Sequence, residues 1–313
     1  MTNRTVTIVL PAYNERENIE NLIRRILALY PSFEIIVIDD GSTDGTAEKA
    51  AQAGANVYRH PYNIGNGAAV KSGIRVATGD VLVFMDGDGQ HAPEDIGKLL
   101  EHIPEYDMVV GARTKGGQAS FGRAIGNKIY NWLGSYVSKF PIPDLTSGFR
   151  AVKKEIALEF LYLLPNTYSY PSTLTLGVLR TGRSIKFVPI SVHKRVKGKS
   201  KVNLFRDGIR FFMIITRICT FYSPMRVFLP VSFLSFILGL INYGITYVTQ
   251  GRFTNMSALL FINAVLIFMM SLISEQICQM RFERRQRSVP TQPVFPNNPR
   301  QENREPSASS KEV

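Results

Sequence analysis

Two stretches near the C-terminal end constrain this chain more than any other feature. From Val227 to Val248 it reads VFLPVSFLSFILGLINYGITYV, twenty-two residues without a charge, and from Met256 to Ser274 it reads MSALLFINAVLIFMMSLIS, nineteen more. As helices rising about 1.5 Å per residue, each reaches across a hydrocarbon core of about 30 Å. A hairpin buried in a soluble core is the competing arrangement, and two such runs only seven residues apart argue against it. The expectation is a two-helix transmembrane hairpin over residues 225–282.

Charge around the hairpin sets its orientation. Arg210, Arg217 and Arg226 precede the first run, and Arg281, Arg284, Arg285 and Arg287 follow the second. The connecting TQGRFTN holds one arginine. Positive residues collect on the cytoplasmic side, so both flanks and both termini are expected in the cytoplasm. The net charge of +12 is concentrated, with ten Lys/Arg and one acid, Asp207, in residues 183–217. Such a stretch attracts nucleic acid, an anionic lipid surface or a phosphate-bearing ligand. The apolar runs that follow favour lipid and phosphate, so no nucleic-acid partner is expected. Within it, Arg206, Arg210 and Arg217 recur among apolar residues at near-helical spacing. That pattern predicts an amphipathic helix over 203–224 in the membrane interface, the alternative being a helix packed on the soluble domain. The polar, proline-rich tail, 283–313, is expected to be disordered. The N-terminal apolar run breaks at Pro11, too early for a signal peptide. Two distant cysteines, Cys219 and Cys278, make no disulfide framework and suggest a reducing compartment.

Residues 1–202 read as a cytosolic α/β domain. TVTIVLPAY, FEIIVIDDGS, NVYRH and VLVFMD alternate with helical segments from about Glu17 to Tyr30, Thr46 to Gly54 and Gly67 to Ala77. Continuous Val/Ile runs between short helices predict a mostly parallel sheet covered on both faces. Ligands of such sheets bind beyond the carboxyl ends of the strands. Three strands end there in polar or acidic residues: Tyr13-Asn14-Glu15, Asp39-Asp40 and Asp86-Gly87-Asp88. Carboxylates gathered at strand tips repel one another unless a cation or a donor-rich ligand offsets them. Hard oxygen ligands in a glycine-rich turn suit Mg²⁺ or Mn²⁺ shared with a diphosphate. An EF-hand fails, because its sixth position is His91 and its twelfth is Gly97. A dinucleotide fingerprint fails too, since GNGAAV lacks the third glycine and no glycine-rich turn follows the first strand.

Six motifs then occur in a telling order: PAYNE (11–15), VIDDGSTDGT (37–46), NIGNGAAVKSG (63–73), MDGDGQHAPE (85–94), TSGFR (146–150) and RVKGKSK (195–201). Together they resemble family 2 glycosyltransferases, in the polyprenyl-phosphate branch that includes dolichyl-phosphate mannose synthases. The likeness covers about 200 residues. It implies a GT-A fold, a nucleotide-sugar donor (GDP- or UDP-linked), a Mg²⁺ or Mn²⁺ ion and an undecaprenyl or dolichyl phosphate acceptor. By that resemblance Pro11, Tyr13 and Glu15 line the nucleotide pocket and Asp40 bonds the base. Asp39 either supports Asp40 or holds the turn before GSTDGT. Asp86 and Asp88 match the D-x-D motif and Gln90 the third metal ligand, while Gly87 and Gly89 depart from the residues frequent there and loosen the turn. Lys71 either neutralises the diphosphate or is a solvated surface lysine. Arg113 matches an arginine near the donor phosphates, and TKGGQASFG (114–122) is expected to be a mobile lid. Arg123 and Asn127 open the following helix and face the acceptor. Arg195, Ser200 and Lys201 fit the R-x-x-G-x-S-K pattern that holds the acceptor phosphate. A cationic loop with a hydroxyl donor leading to a membrane helix suits a lipid-borne phosphate.

Other assignments fit less of the chain. A processive synthase needs more spans and a Q-x-x-R-W motif, whereas the one tryptophan, Trp132, lies in IYNWLG. A transferase with a non-lipid acceptor leaves the basic loop unexplained, and a nucleotide-binding regulator has no need of Arg195 or Lys201. Small residues in the spans (Gly239, Gly244, Ala258, Ala264) permit a homo-oligomer through close helix packing.

Overall fold

The structure, a computed structural model, describes residues 4–113, 121–166, 169–190 and 223–283, with backbone alone at 121–125 and 281–283. Most of the expected lid, the basic loop with Arg195, Ser200 and Lys201, the interfacial helix and the tail lie outside the described residues.

Seven strands form one sheet: β1 (Val6–Ala12), β2 (Glu34–Asp39), β3 (Asn56–Arg59), β4 (Val81–Phe84), β5 (Met108–Arg113), β6 (Arg150–Lys153) and β7 (Ile185–Ile190). Their order is β3-β2-β1-β4-β6-β5-β7. The pairs β1·β2, β2·β3, β1·β4 and β5·β7 are parallel. β6 enters between β4 and β5 and runs antiparallel to both. The mostly parallel sheet expected from the apolar runs is therefore present, with one reversed strand that the sequence did not reveal.

Alternation along β1 sends side chains to two cores. Ile8, Leu10 and Ala12 pack with Ile19, Leu22, Ile23 and Ile26 of α1 (Arg16–Leu29) on one face. That helical spacing gives α1 a single apolar stripe. Val9, Ile36 and Ile38 face Val70 and Ile74 of α3 (Asn66–Val76) on the other. There Gly73 is needed for close approach, because a Cβ would lie 2.2 Å from Val9 Cγ1. α2 (Thr46–Gln52) and α4 (Ile96–Leu100) are short covers. α5 (Phe121–Ser138), α6 (Lys154–Phe160) and α7 (Tyr170–Arg180) complete the domain.

Two further helices, α8 (Pro224–Gln250) and α9 (Asn255–Glu283), pack as an antiparallel hairpin. Both are long and apolar enough to cross a membrane. Large side chains such as Phe233, Leu234, Val248 and Met270 point outward, an exposed apolar surface of the kind that marks contact with a membrane or another protein. Polar bonds lie between the helices: Ser232 donates to Ala264 O at 2.8 Å, and Ser257 donates to Asn242 Oδ1 at 2.8 Å. Of the small residues suited to helix packing, Gly239 faces Phe261 inside the hairpin and Ala264 is buried, whereas Gly244 has open space around it.

Candidate active site

A cleft of about 360 Å³ opens beyond the carboxyl ends of β1, β2 and β4. Pro11, Tyr13, Glu15, Asp40, Asp86, Gly87 and Asp88 line it, together with Ala12, Asn63, Gly65, Asn66 and Ala69. The first seven are residues expected from sequence. The others belong to β1, to NIGNG, whose glycine and asparagine content marks a turn without revealing which side chains face inward, and, for Ala69, to α3.

Local bonding explains why the strand tips hold this shape. Asn14 sits at φ 55°, in the left-handed region that asparagine tolerates. Its N–H donates to Ser42 Oγ at 2.9 Å, and its Oδ1 accepts from Thr43 N at 3.0 Å. Glu15 N donates to Thr46 Oγ1 at 2.9 Å, and Glu15 Oε2 accepts from Asn18 Nδ2 at 2.9 Å. The tips of β1 and β2 are thus laced together around Tyr13, which is half exposed toward the cleft.

The two neighbouring acids of β2 part company. Asp39 is fully buried and outside the cleft lining. Its Oδ1 accepts from Ser42 N at 3.0 Å, and Arg59 Nε stands 3.1 Å from its Oδ2. The geometry thus favours the turn-holding role over contact with a nucleotide. Asp40 borders the cleft while holding NIGNG in place. His60 Nδ1 lies 2.7 Å from Oδ1, Ile64 N donates to Oδ1 at 3.0 Å, and Gly65 N donates to Oδ2 at 2.8 Å. A carboxylate has about four acceptor sites, so roughly one direction is left for a ligand.

Asp86 is the electrostatically costly residue. It is set inside the protein yet keeps a part-exposed edge on the cleft. Burial raises its pKa, an effect that Asn66, Arg113 and Arg150 only partly oppose. The contact from Asn66 Nδ2 is long, at 3.5 Å, and Asn66 Oδ1 is itself buried without a partner. Behind Asp86 stands Gly148, where a Cβ would come within 3.1 Å of Asp86 Oδ2. Asp88 follows in a tight turn, accepting from Gln90 N at 3.1 Å, and Gly89 takes φ +72°. Among the described residues no three His, Cys, Asp or Glu side chains gather as a metal site. An under-bonded carboxylate beside a second one nevertheless suits a divalent cation that completes its shell with ligand oxygens.

Other expected residues stand outside the cleft lining. Lys71, on α3, donates to Asn166 Oδ1 and is half-buried, which lowers its pKa. Arg113, at the end of β5, pairs with Asp144. Gln90 contributes its N–H to the turn. Arg123 lies in the first turn of α5, with its side chain outside the described residues.

Sequence reasoning assigned no role to Asp144, Gly148, His91 or Arg150. His91 stacks on Phe149, ring centroids 5.1 Å apart, and burial pushes its pKa down to about 4, so it is neutral at pH 7. Arg150 is fully buried. It donates to Pro171 O at 2.9 Å, to Thr175 Oγ1 at 3.1 Å and to Ser147 O. Burial lowers its pKa to about 10, which still leaves it charged at neutral pH. TSGFR carried its position but not its bonds.

Residues 7–161 match the family model for glycosyl transferase family 2, and residues 223–280 match that for the GtrB C-terminal hairpin. An undecaprenyl-phosphate mannosyltransferase of Micrococcus luteus is 31% identical, over 63% of this chain and 87% of its own. A polyprenol monophosphomannose synthase of Mycolicibacterium smegmatis is 33% identical, over 64% and 82%. An undecaprenyl-phosphate 4-deoxy-4-formamido-L-arabinose transferase of Pectobacterium atrosepticum is 27% identical across 88% of each chain, a span that takes in the hairpin. In structure, the domain resembles glucosyl-3-phosphoglycerate synthase of Mycobacterium tuberculosis, solved with Mn²⁺, UDP and glucosyl-3-phosphoglycerate. The TM-score is 0.56 at 23% identity, covering 69% of this chain and 79% of that one. That likeness establishes a GT-A-like fold.

Proposed function

The chain belongs to glycosyl transferase family 2, and on that premise we propose that it transfers one sugar from a nucleotide sugar to a polyprenyl phosphate at the cytoplasmic face of a membrane. The observation that carries this reading is the presence, in one chain, of a carboxylate-bearing cleft and a hairpin long enough to cross a bilayer. Relatives named for polyprenyl-phosphate acceptors support it.

In this reading the acceptor phosphate oxygen attacks the anomeric carbon while the bond from that carbon to the donor diphosphate breaks. One in-line displacement inverts the centre, and a nucleoside diphosphate leaves. A phosphomonoester has its second pKa near 6, so the nucleophile is already largely anionic and needs no side-chain base. Pro11, Tyr13, Glu15 and Asp40 hold the nucleoside end of the donor. Asp86 and Asp88, with Gln90, would hold Mg²⁺ or Mn²⁺. A cation there supplies charge against the leaving diphosphate. Arg113 and Lys71 add positive charge from the flanks, and Arg123, Arg195, Ser200 and Lys201 receive the acceptor phosphate. Orientation of two anionic partners is the main contribution of the chain.

Transfer of radiolabelled sugar into an organic-extractable lipid tests the proposal, with purified protein, polyprenyl phosphate, Mn²⁺ and a panel of GDP- and UDP-sugars. The expected result is labelled lipid from one donor. Donor turnover without lipid product from any donor overturns the lipid acceptor.

A further inference from the structure

Glu275 lies one residue beyond the second uncharged run, in the part of α9 nearest the soluble domain. Its carboxylate joins three parts of the chain. Arg180, the last residue of α7, donates to Oε1 at 3.1 Å, and Met225 N, in the first turn of α8, approaches Oε2 at 3.3 Å. Arg180 also donates to Ser223 Oγ at 2.9 Å. Both side chains of the ion pair are mostly buried, at 23% and 18% exposed. A charge at a membrane boundary is costly unless paired, and here the pair is also the junction.

The other end of α7 stands at the cleft wall. Pro171 O and Thr175 Oγ1, in its first turns, accept from buried Arg150, which also donates to Ser147 O. The next residue, Gly148, backs Asp86. α7 has eleven residues, about 16 Å of rigid helix, and is buried along most of its length. It therefore links the hairpin to the wall behind the D-x-D carboxylate. A second tether joins a different helix: Arg226 donates to Val137 O and to Tyr136 O, and Tyr136 Oη donates to Arg226 O at 3.2 Å. Contacts at the ends of two helices prevent the pivoting that one would allow.

We propose that Arg180 and Glu275 are positioning residues that fix the height and tilt of the cleft over the bilayer, so that a phosphate confined to the membrane surface meets the bound donor. The inference rests on the lipid acceptor proposed above. Neither residue lines the cleft. Their effect is on encounter geometry, for which small misplacements carry large rate costs.

The test uses the full chain in proteoliposomes. Transfer to long-chain polyprenyl phosphate in the bilayer is compared with transfer to a short-chain, water-soluble prenyl phosphate. Binding of UDP and GDP with Mn²⁺ is measured alongside. Arg180→Glu and Glu275→Arg, singly, are expected to lower kcat/KM for the bilayer acceptor at least tenfold. Transfer to the soluble acceptor and nucleotide binding should stay within threefold of wild type. The double swap is expected to regain bilayer transfer, and Glu275→Gln to show a smaller loss of the same selectivity. Equal losses on both acceptors, loss of nucleotide binding together with transfer, or a swap that fails to recover would each overturn the inference. Wild-type protein with no transfer to bilayer lipid would instead overturn the proposed function, and the inference with it.

Discussion

Arg113 and Asp144 meet in a two-point ion pair at the end of β5, Nε to Oδ2 at 2.7 Å and Nη2 to Oδ1 at 2.9 Å. The Arg113 backbone N–H also donates to Asp144 Oδ2 at 3.2 Å. Burial by itself raises the Asp144 pKa, but the bonds from Arg113 outweigh it and hold the carboxyl below its ordinary value.

Asp144→Asn is expected to destabilise the protein by about 1–3 kcal/mol, since it leaves a half-exposed guanidinium without its counter-charge. The sign of the pH dependence follows from the depressed pKa. The contribution is fully present above the unfolded value, about 4, and is lost as pH falls through the lower folded value. Denaturation of wild type and variant should show a constant difference from pH 7 to about 5 that shrinks below about 4. A difference that grows on acidification would contradict the pairing.

Asp86 and Asp88 should separate activity from stability. Asp86→Asn and Asp88→Asn are each expected to lower Mn²⁺-dependent transfer by about 100-fold or more. Because burial disfavours the charged form of Asp86, Asp86→Asn should also match or exceed wild type in thermal stability at pH 7. Sugar-transfer assays beside thermal melts check both halves.

Gly148→Ala tests the wall behind Asp86. Its Cβ would meet Asp86 Oδ2 at 3.1 Å and Tyr170 Oη at 3.3 Å. Displacement of Asp86 by even a few tenths of an ångström is expected to raise the Mn²⁺ concentration for half-maximal activity by roughly tenfold, with nucleotide-free stability little changed. A titration of activity against Mn²⁺ measures it.

Gly73→Ala should cost roughly 2 kcal/mol, the overpacking against Val9 exceeding the gain in helix propensity. Shortening the opposing side chain in Gly73→Ala/Val9→Ala should recover part of that loss. Chemical denaturation of the two variants decides it.

Several elements were legible from local pattern alone. β1, β2 and β4 are apolar runs bounded by turns, so their existence and their polar tips were readable, and with them Tyr13, Glu15, Asp40, Asp86 and Asp88. α8 and α9 were readable from length and absence of charge. β6 was not, because Arg150–Lys153 is a four-residue strand that gains its place by pairing antiparallel between β4 and β5, far from either in sequence. Asp39 and Asp40 look alike in VIDD, and strand alternation gave no way to tell which one borders the cleft. The structure separates them: Ser42 and Arg59 engage the first, and the NIGNG loop engages the second.

The sequence by itself determined the strand tips, the D-x-D pair, the long apolar hairpin and the family, because periodicity, composition and motif spacing are local properties of a chain. Only the tertiary structure decided that Arg113 is held by Asp144, that Gly148 backs Asp86, and that Arg180 meets Glu275 ninety-five residues away. Such contacts depend on which faces pack together, and packing is a property of the folded whole that no short window of residues contains.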